Sequence, residues 1–417
     1  MNPTDPRRRL LLELFQAGVA RVAGRGCVAE ALRAQRMPAG AVTGSEARAA
    51  AGRIWIAAIG KAAASMALGA HDAVGPAIER VLVITKDGHV PPQTRALPGV
   101  EICESAHPVP DQRSLDAGQS LLRWMEALPE AAQPLFLISG GASSLVEVLE
   151  EGVTLAQLGR LNEEGHASGI AIGELNARRG RLSRIKGGRL AALLAGRPAR
   201  AFFISDVPGD DPAVIGSGIM GPASTGPDHV ERTIVASLDH ALDAVAAAAR
   251  KLNLDVQRAS KRFDGEAVRL AIRFSHELHL STAQGCVWGG ESTVRLPEHP
   301  GRGGRNQHLA LAAARQLAGQ SRMLLLAAGT DGTDGPTEDA GAVVDGETCA
   351  RVALAELDAD DCLRRADAGT ALAASGDLIS TGPTGTNVGD LVIGLKLSPE
   401  AAQLLWQDRD GRGARVL

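Results

Sequence analysis

A chain of 417 residues, 45% hydrophobic and with a formal net charge of −4, has the length for two or three domains and a large core. That charge, with 2% aromatic residues and no Tyr, excludes a general nucleic-acid binder, which needs a basic excess or stacking platforms. Five cysteines (27, 103, 286, 349 and 362) lie far apart without a CxxC, so reduced thiols in a cytoplasmic protein are expected, not a disulfide frame or a zinc ribbon.

The opening "MNPTDPRRRLLLELFQAG" places basic residues before an apolar run, as a signal peptide does. Glu13 interrupts the run and no small-residue cleavage site follows. Asp5 and Pro6 read instead as the N-cap and first residue of an amphipathic helix over 5–34. No apolar stretch approaches the ~18 residues of a membrane span. From residue 53 an alternation begins. The runs "RIWIAAIG", "RVLVITKDG", "VEICES", "PLFLISGG" and "RAFFISD" read as strands, with helical stretches such as "KAAASMALGAHDAV", "DQRSLDAGQSLLRWMEAL" and 154–196 between them. Short apolar strands alternating with helices predict a doubly wound, mainly parallel sheet covered on both faces: a Rossmann-like three-layer α/β/α domain over 1–240. Ligands in such sheets bind beyond the carboxyl ends of the strands. A Gly/Pro loop over 207–227 leads to a predicted alanine-rich helix over 228–252. A smaller α/β domain over 241–417 then follows. It has a helix near 265–281, the strand "GCVWGGESTVRL", glycine-rich "GRGGRNQ" opening a helix, the strand "MLLLAAG", an acidic loop, "AVVD", two helices and a last strand "DLVIGL".

The turns after the strands carry the chemistry. Lys61 sits where "IGKAA" passes from strand to helix and suits an anion, although an ordinary surface lysine there reads equally well. The glycines and serines of "LISGGASSLVE" read as an anion cradle more readily than as a plain tight turn. Arg305 follows the glycines of "GGRNQ", and its planar fork suits phosphate or carboxylate. "GSGIMG" matches GxGxxG, but a stretch of turn separates it from the strand "FFISD" and no helix follows, so it does not read as a dinucleotide fingerprint. His276 and His279 of "HELH" read as surface residues, and His107 in "SAHPVPD" is left open between ordering its loop and touching substrate. The loop "AAGTDGTDGPTEDAG" holds Asp331, Asp334, Glu338 and Asp339; oxygen ligands without His or Cys suit Mg²⁺ and not zinc. A metal, a cation and backbone donors together are what phosphoryl transfer uses.

The segments "IGKAA", "AHPVPD", "ISGGASS", "LSRIKGG", "SDVPGD", "GGRNQ", "AAGTDGTDGPTEDAGAVVDG" and "GPTGTNVGDL", running from about Ile59 to Gly394, resemble the glycerate 2-kinases with a C-terminal MOFRL domain, a family whose members have also been called hydroxypyruvate reductases. The resemblance implies phosphorylation of D-glycerate at the 2-hydroxyl by ATP with Mg²⁺, in a two-domain α/β enzyme with its active site in the interdomain cleft. It implies catalytic roles for Lys61 and Arg305. On this reading Asp206 is a further catalytic candidate. Ser139, Gly140, Gly141, Ser143, Ser144, Lys186 and Asn306 are expected to bind substrate or phosphate, and Asp331 and Asp334 a metal ion. The expected partner is glycerate, with no nucleic acid and no membrane, and a homodimer is an open assembly. Two departures, "GSGIMGPAST" in place of an ASGPT-like turn and Gly180-Arg181 in place of Lys-His, leave room for a related hydroxy acid. The alternatives are an NAD(P)H-dependent hydroxypyruvate reductase and a non-catalytic sugar-acid-binding protein.

Overall fold

The apolar runs that end in glycine, serine or aspartate form one parallel sheet. In the computed structural model, which describes residues 5–35, 53–168 and 178–405, two helices come first, α1 (Pro6–Val22) and α2 (Gly24–Ala34). The expected single helix over 5–34 divides at Ala23, whose ψ of 128° is extended. Strands β1 (Ile54–Ile59), β2 (Ile78–Lys86), β3 (Val100–Ser105), β4 (Gln133–Ile138), β5 (Ala199–Ile204) and β6 (Val230–Ala236) pair in the order β3-β2-β1-β4-β5-β6, all parallel. Helices α3 (Ala63–Val74), α4 (Gln112–Glu126), α5 (Ala142–Leu145), α6 (Leu155–Ser168) and α7 (Arg189–Ala192) lie between the strands in sequence. Every residue of β1 is buried, as expected of a central strand covered on both faces. Trp124 of α4 packs on Trp55 of β1 and Phe136 of β4, with ring centroids 5.9 and 5.7 Å away. These strands, with Val22–Ser237 in general and the short return segment Gly385–Val388, form one compact unit.

Two predicted helices, over 228–252 and 154–196, need correction here. The expected helix over 228–252 begins only at Leu238, because "VERTIVA" is rich in β-branched residues and pairs with β5 as the edge strand β6. The expected helix over 154–196 is not continuous: residues 169–177 lie outside the described residues, and over 183–188 the chain forms a bridge from Ser183 to Leu149 and a turn with Gly187 and Gly188 at φ of 61° and 78° before α7.

The strand order also locates a crevice. From β1 the chain moves outward to β2 and β3 on one side; β4, β5 and β6 extend on the other. The direction of winding therefore reverses between β1 and β4, and at such a reversal the loops leaving the two carboxyl ends part.

The second unit comprises Leu238–Thr384 and Gly389–Leu417, together with the N-terminal Met1–Arg21. Its helices are α8 (Leu238–Lys251), α9 (Ala267–Leu280), α10 (Arg305–Leu317), α11 (Thr348–Leu354), α12 (Ala359–Arg364) and α13 (Ala368–Ala374). Its strands are β7 (Val256–Arg258), β8 (Phe263–Glu266), β9 (Gly285–Thr293), β10 (Met323–Gly329), β11 (Gly341–Asp345), β12 (Leu378–Ile379) and β13 (Asp390–Lys396). They pair in the order β12-β11-β10-β13-β9-β7, with β8 beside β9. The pairings are antiparallel except those of β7 and β8 with β9. Helix α10 is buried almost all round, its middle stretch Leu309–Ala314 being leucine and alanine alone. Helix α1 joins this unit through Arg8, 3% exposed, whose guanidinium pairs with Asp345 and Asp377. No helix among the described residues is long and apolar enough to cross a membrane.

Candidate active site

In the first unit the site grows from the crevice between β1 and β4. Lys61 N–H donates to the Gly140 carbonyl at 2.9 Å, Ala62 N–H to Ser139 Oγ at 3.0 Å, and Ser139 N–H to the Ile59 carbonyl at 2.9 Å. The turns after the two strands are thus tied into one knot. Only glycine fits at position 60: its φ is +128°, and a Cβ there would stand 2.2 Å from Ser139 Oγ. Gly141, at φ +86°, leaves the space that Lys61 Cγ and the His107 ring approach, 3.2 and 3.1 Å from where its Cβ would be. Gly140 is equally constrained, since its Cβ would meet Asp206 Oδ2 at 2.1 Å and Asn387 Nδ2 at 2.4 Å. Asn387 donates to Asp206 Oδ2 at 3.3 Å. The structure therefore brings Lys61, Ser139, Gly140, Gly141 and Asp206 together and adds His107 and Asn387. Asn387 lies in the quoted "GPTGTNV", and its side-chain amide was the signal available in sequence.

Ser143, Ser144 and Lys186 divide differently. Ser144 is buried and its hydroxyl donates back to the Gly141 carbonyl, closing the turn. Ser143 is partly exposed and its hydroxyl lies 2.8 Å from that of Ser217. Lys186, expected to bind substrate, is a correction: its side chain is 1% exposed and pairs with Glu147, and its ammonium donates to the Ser143 carbonyl at 2.6 Å. Burial pushes the Lys186 ammonium down from the ordinary lysine range, and Glu147 opposes that. The lysine supports the turn from beneath.

In the second unit Arg305 opens α10. Its guanidinium pairs with Glu291 and lies 3.5 Å from Asp390 Oδ2. Burial disfavours its charge, but Asp390 and Glu291 more than compensate and hold its pKa up. Asp334, expected as a metal ligand, is committed elsewhere: Oδ1 accepts from Asn306 N–H at 3.0 Å and Oδ2 from Gln307 N–H at 2.8 Å. It supplies the cap that Gly304 cannot. Burial pushes the Asp334 carboxyl up to about 7, with the two amides pulling it back. Asn306, expected to bind substrate, is 1% exposed, and its side-chain amide lies against Asp334 at 3.4 Å.

The rest of the acidic loop sorts itself by partner. Asp339 accepts from Arg302 at 2.8 Å and from Ser380 at 2.6 Å, and Glu338 is exposed. Asp331 accepts from the amide and hydroxyl of Thr333 at 3.0 and 3.1 Å. Its Oδ1 and that of Asp390 flank Gly329, 3.4 and 3.6 Å from the point a Cβ would occupy there. Asp390, which sequence reasoning did not select, faces Gly329 across the ladder at the start of β13. Burial pushes its carboxyl up to about 6 against the pull of Arg305, and its Oδ2 has no hydrogen-bond partner. Among the described residues no group of three or more His, Cys, Asp and Glu is arranged to hold a metal. Mg²⁺, however, needs only one or two carboxylates beside water and phosphate oxygens, which Asp331 and Asp390 fit.

Residues 10–252 match a domain of unknown function, DUF4147, and residues 284–390 match the MOFRL family. The D-glycerate 2-kinase of Thermotoga maritima is 36% identical over 382 residues, 82% of this chain and 90% of the relative. A protein of Agrobacterium vitis provisionally named a hydroxypyruvate reductase is 35% identical over 82% of this chain and 98% of its own length. The crystal structure of a glycerate kinase from Thermotoga maritima superposes with a TM-score of 0.80 at 32% identity, covering 93% of this chain and 99% of that one. A crystal structure from Pyrococcus horikoshii superposes at 0.72 with 27% identity, covering 95% and 100%. The chain belongs to the glycerate 2-kinase family with a C-terminal MOFRL region.

Proposed function

We propose that this chain transfers the terminal phosphoryl group of ATP to the 2-hydroxyl of D-glycerate, with Mg²⁺. The observation that carries the reading is the knot at the switch point, where Lys61 is hydrogen-bonded through its backbone to the Ser139–Gly141 turn at the carboxyl ends of β1 and β4. A lysine just before α3 adds a cation to the positive end of a helix, a combination that binds phosphate or carboxylate. Asp206, which accepts a hydrogen bond from Asn387, would accept one from the attacking hydroxyl. In the second unit Arg305 offers a planar donor pair to a phosphate, and Asp331 with Asp390 would hold the metal. Bound Mg²⁺ supplies neutralisation of phosphate charge. The relatives named as glycerate 2-kinases support the same substrate.

The reductase reading lacks its motif. In a sheet of this order the glycine fingerprint belongs in the turn after β1, where this chain has Gly60-Lys61-Ala62, while "GSGIMG" falls in a 3₁₀ turn over Ile215–Gly218. Purified protein is expected to form ADP and 2-phosphoglycerate from D-glycerate and Mg·ATP, and to stop when excess chelator is added. Oxidation of NADPH by hydroxypyruvate with no ADP formation, or full kinase activity without divalent metal, would overturn the proposal.

A further inference from the structure

The first three residues of "GSGIMG", set aside above as a nucleotide motif, are held in an unusual conformation beside the proposed site. Gly216, Ser217 and Gly218 have φ of 58°, 59° and 68°, three consecutive residues in the left-handed region. Glycine accepts this without a steric penalty, whereas serine does not. The strained residue is over-determined by its surroundings. Gly187 N–H donates to the Ser217 carbonyl at 2.9 Å and Gly188 N–H to the Gly218 carbonyl at 2.8 Å. A Cβ on Gly216 would lie 3.0 Å from Ala142 Cβ and 3.6 Å from Ile138 at the end of β4. What the strain secures is a contact: Ser217, 3% exposed, sets its hydroxyl 2.8 Å from that of partly exposed Ser143.

Strain at a non-glycine residue beside a binding turn is an observation that calls for a function. A hydroxyl has one proton to give and two lone pairs to accept with. When Ser217 O–H donates to Ser143 Oγ, the Ser143 proton is left to point away from Ser217. Ser143 then acts as a donor whose polarity the first hydrogen bond increases. From below, the Lys186 ammonium holds the Ser143 carbonyl and so fixes the turn. We propose that Ser217 is a positioning residue: it orients the Ser143 hydroxyl to donate to an anionic oxygen, carboxylate or phosphate, of the bound substrates. This rests on the kinase reading, since it assigns the anion to D-glycerate or ATP.

The test is a double-mutant cycle on Ser143→Ala and Ser217→Ala, with Ser217→Gly as a third variant whose backbone suits the left-handed region. Steady-state kinetics with D-glycerate and Mg·ATP, and calorimetric titration with each alone, give the readouts. Each single alanine variant is expected to raise one KM about tenfold with kcat within about twofold, because an oxygen held alike in ground and transition states affects binding only. The double variant should be no worse than Ser143→Ala, since Ser217 acts through it. Ser217→Gly should match Ser217→Ala in KM while keeping or raising Tm. A rise in the KM for D-glycerate assigns the oxygen to the acid's carboxylate, and a rise in that for ATP assigns it to a phosphate. Unchanged KM values, additive effects in the cycle, or a lowered Tm in Ser217→Gly with both KM values unchanged would overturn the proposal. If the unaltered protein makes no ADP from D-glycerate, the kinase reading fails on its own. The titrations then decide Ser217: weaker binding of either compound by the variants supports it, and equal binding, or none by the unaltered protein, removes it.

Discussion

The two units each bury an ion pair, and they do so in opposite ways. In the first, Lys186 and Glu147, with side chains 1% and 0% exposed, face each other as a single pair beneath the Ser143 turn. In the second, Arg8 and Arg351 share Asp345 and Asp377: Arg351 donates to both acids, at 3.0 and 2.9 Å, and Arg8 pairs with both as well. The first is a buried contact of one lysine with one acid, with Arg179 acting on both electrostatically, and it touches a candidate binding residue. The other is a set of two arginines and two acids that fastens α1 to the end of β11 and touches none. The difference teaches how to read buried charge. Lysine, whose pKa burial can push down, stands where a turn must be held in place. The guanidinium groups stand where the work is to join distant segments.

The largest expected effect follows from the depth at which the first pair is buried. Lys186→Met leaves Glu147 fully buried without the ammonium bonded to it and should cost about 3–5 kcal/mol in urea denaturation. Lys186→Met combined with Glu147→Leu should recover most of that, because a buried pair and a well-packed apolar pair are often of similar stability. The recovered double variant should still show a raised KM, since nothing then holds the Ser143 carbonyl. A single variant that loses under about 1 kcal/mol would erase the contrast between the two pairs.

These distinctions show where the sequence was readable. Strands β1, β2, β4 and β5 were legible because each is a short, largely buried apolar run closed by a glycine or a polar turn, while the half-exposed β3 was marked by the alternation of its neighbours. Strand β6 was not, because "VERTIVA" runs without a breaker into an alanine-rich helix. Strands β7, β8 and β12, of three, four and two residues, are too short for any periodicity to show. In the site, Lys61, Gly140 and Gly141 stood out by their positions at strand ends. The burial of Lys186 did not, since Glu147 is 39 residues away and no local pattern joins them. Asp334 and Asp331 share one Thr-Asp-Gly pattern, and only the packing of α10 tells them apart.

That last pair gives a smaller test, confined to the second unit. Asp334→Asn should cost about 1–2 kcal/mol, because an amide offers one acceptor oxygen where two backbone N–H groups of α10 need accepting. Asp331→Asn should keep stability within about 0.5 kcal/mol, since an amide oxygen can still accept from Thr333, yet lose turnover at limiting Mg²⁺. Thermal melts beside a Mg²⁺ titration of activity separate the two. If Asp334→Asn melts like the parent and Asp331→Asn turns over like it, the cap and the metal ligand have been assigned the wrong way round.

The smallest effect expected is a dependence on pH in the four-charge set. Burial pushes the Asp345 carboxyl up, but Arg8 with Arg351 reverses this and holds it below the ordinary carboxylate range. A carboxyl whose folded pKa is depressed adds stability above its unfolded value of about 3.9, and that contribution is lost as pH falls through the folded value. Arg8→Met removes part of the depression, while Arg351 still faces both acids, so the loss should be smaller than for Lys186→Met. The deficit in Tm of Arg8→Met relative to the parent should therefore be constant between pH 6 and 8 and shrink below about pH 4, where the parent too loses the pair. Arg351, charged throughout this range, cannot produce that change by titrating itself. Melts of both proteins across this range decide it. A deficit that stays level down to pH 3 would mean that Arg8 contributes through packing of its stem and not through Asp345.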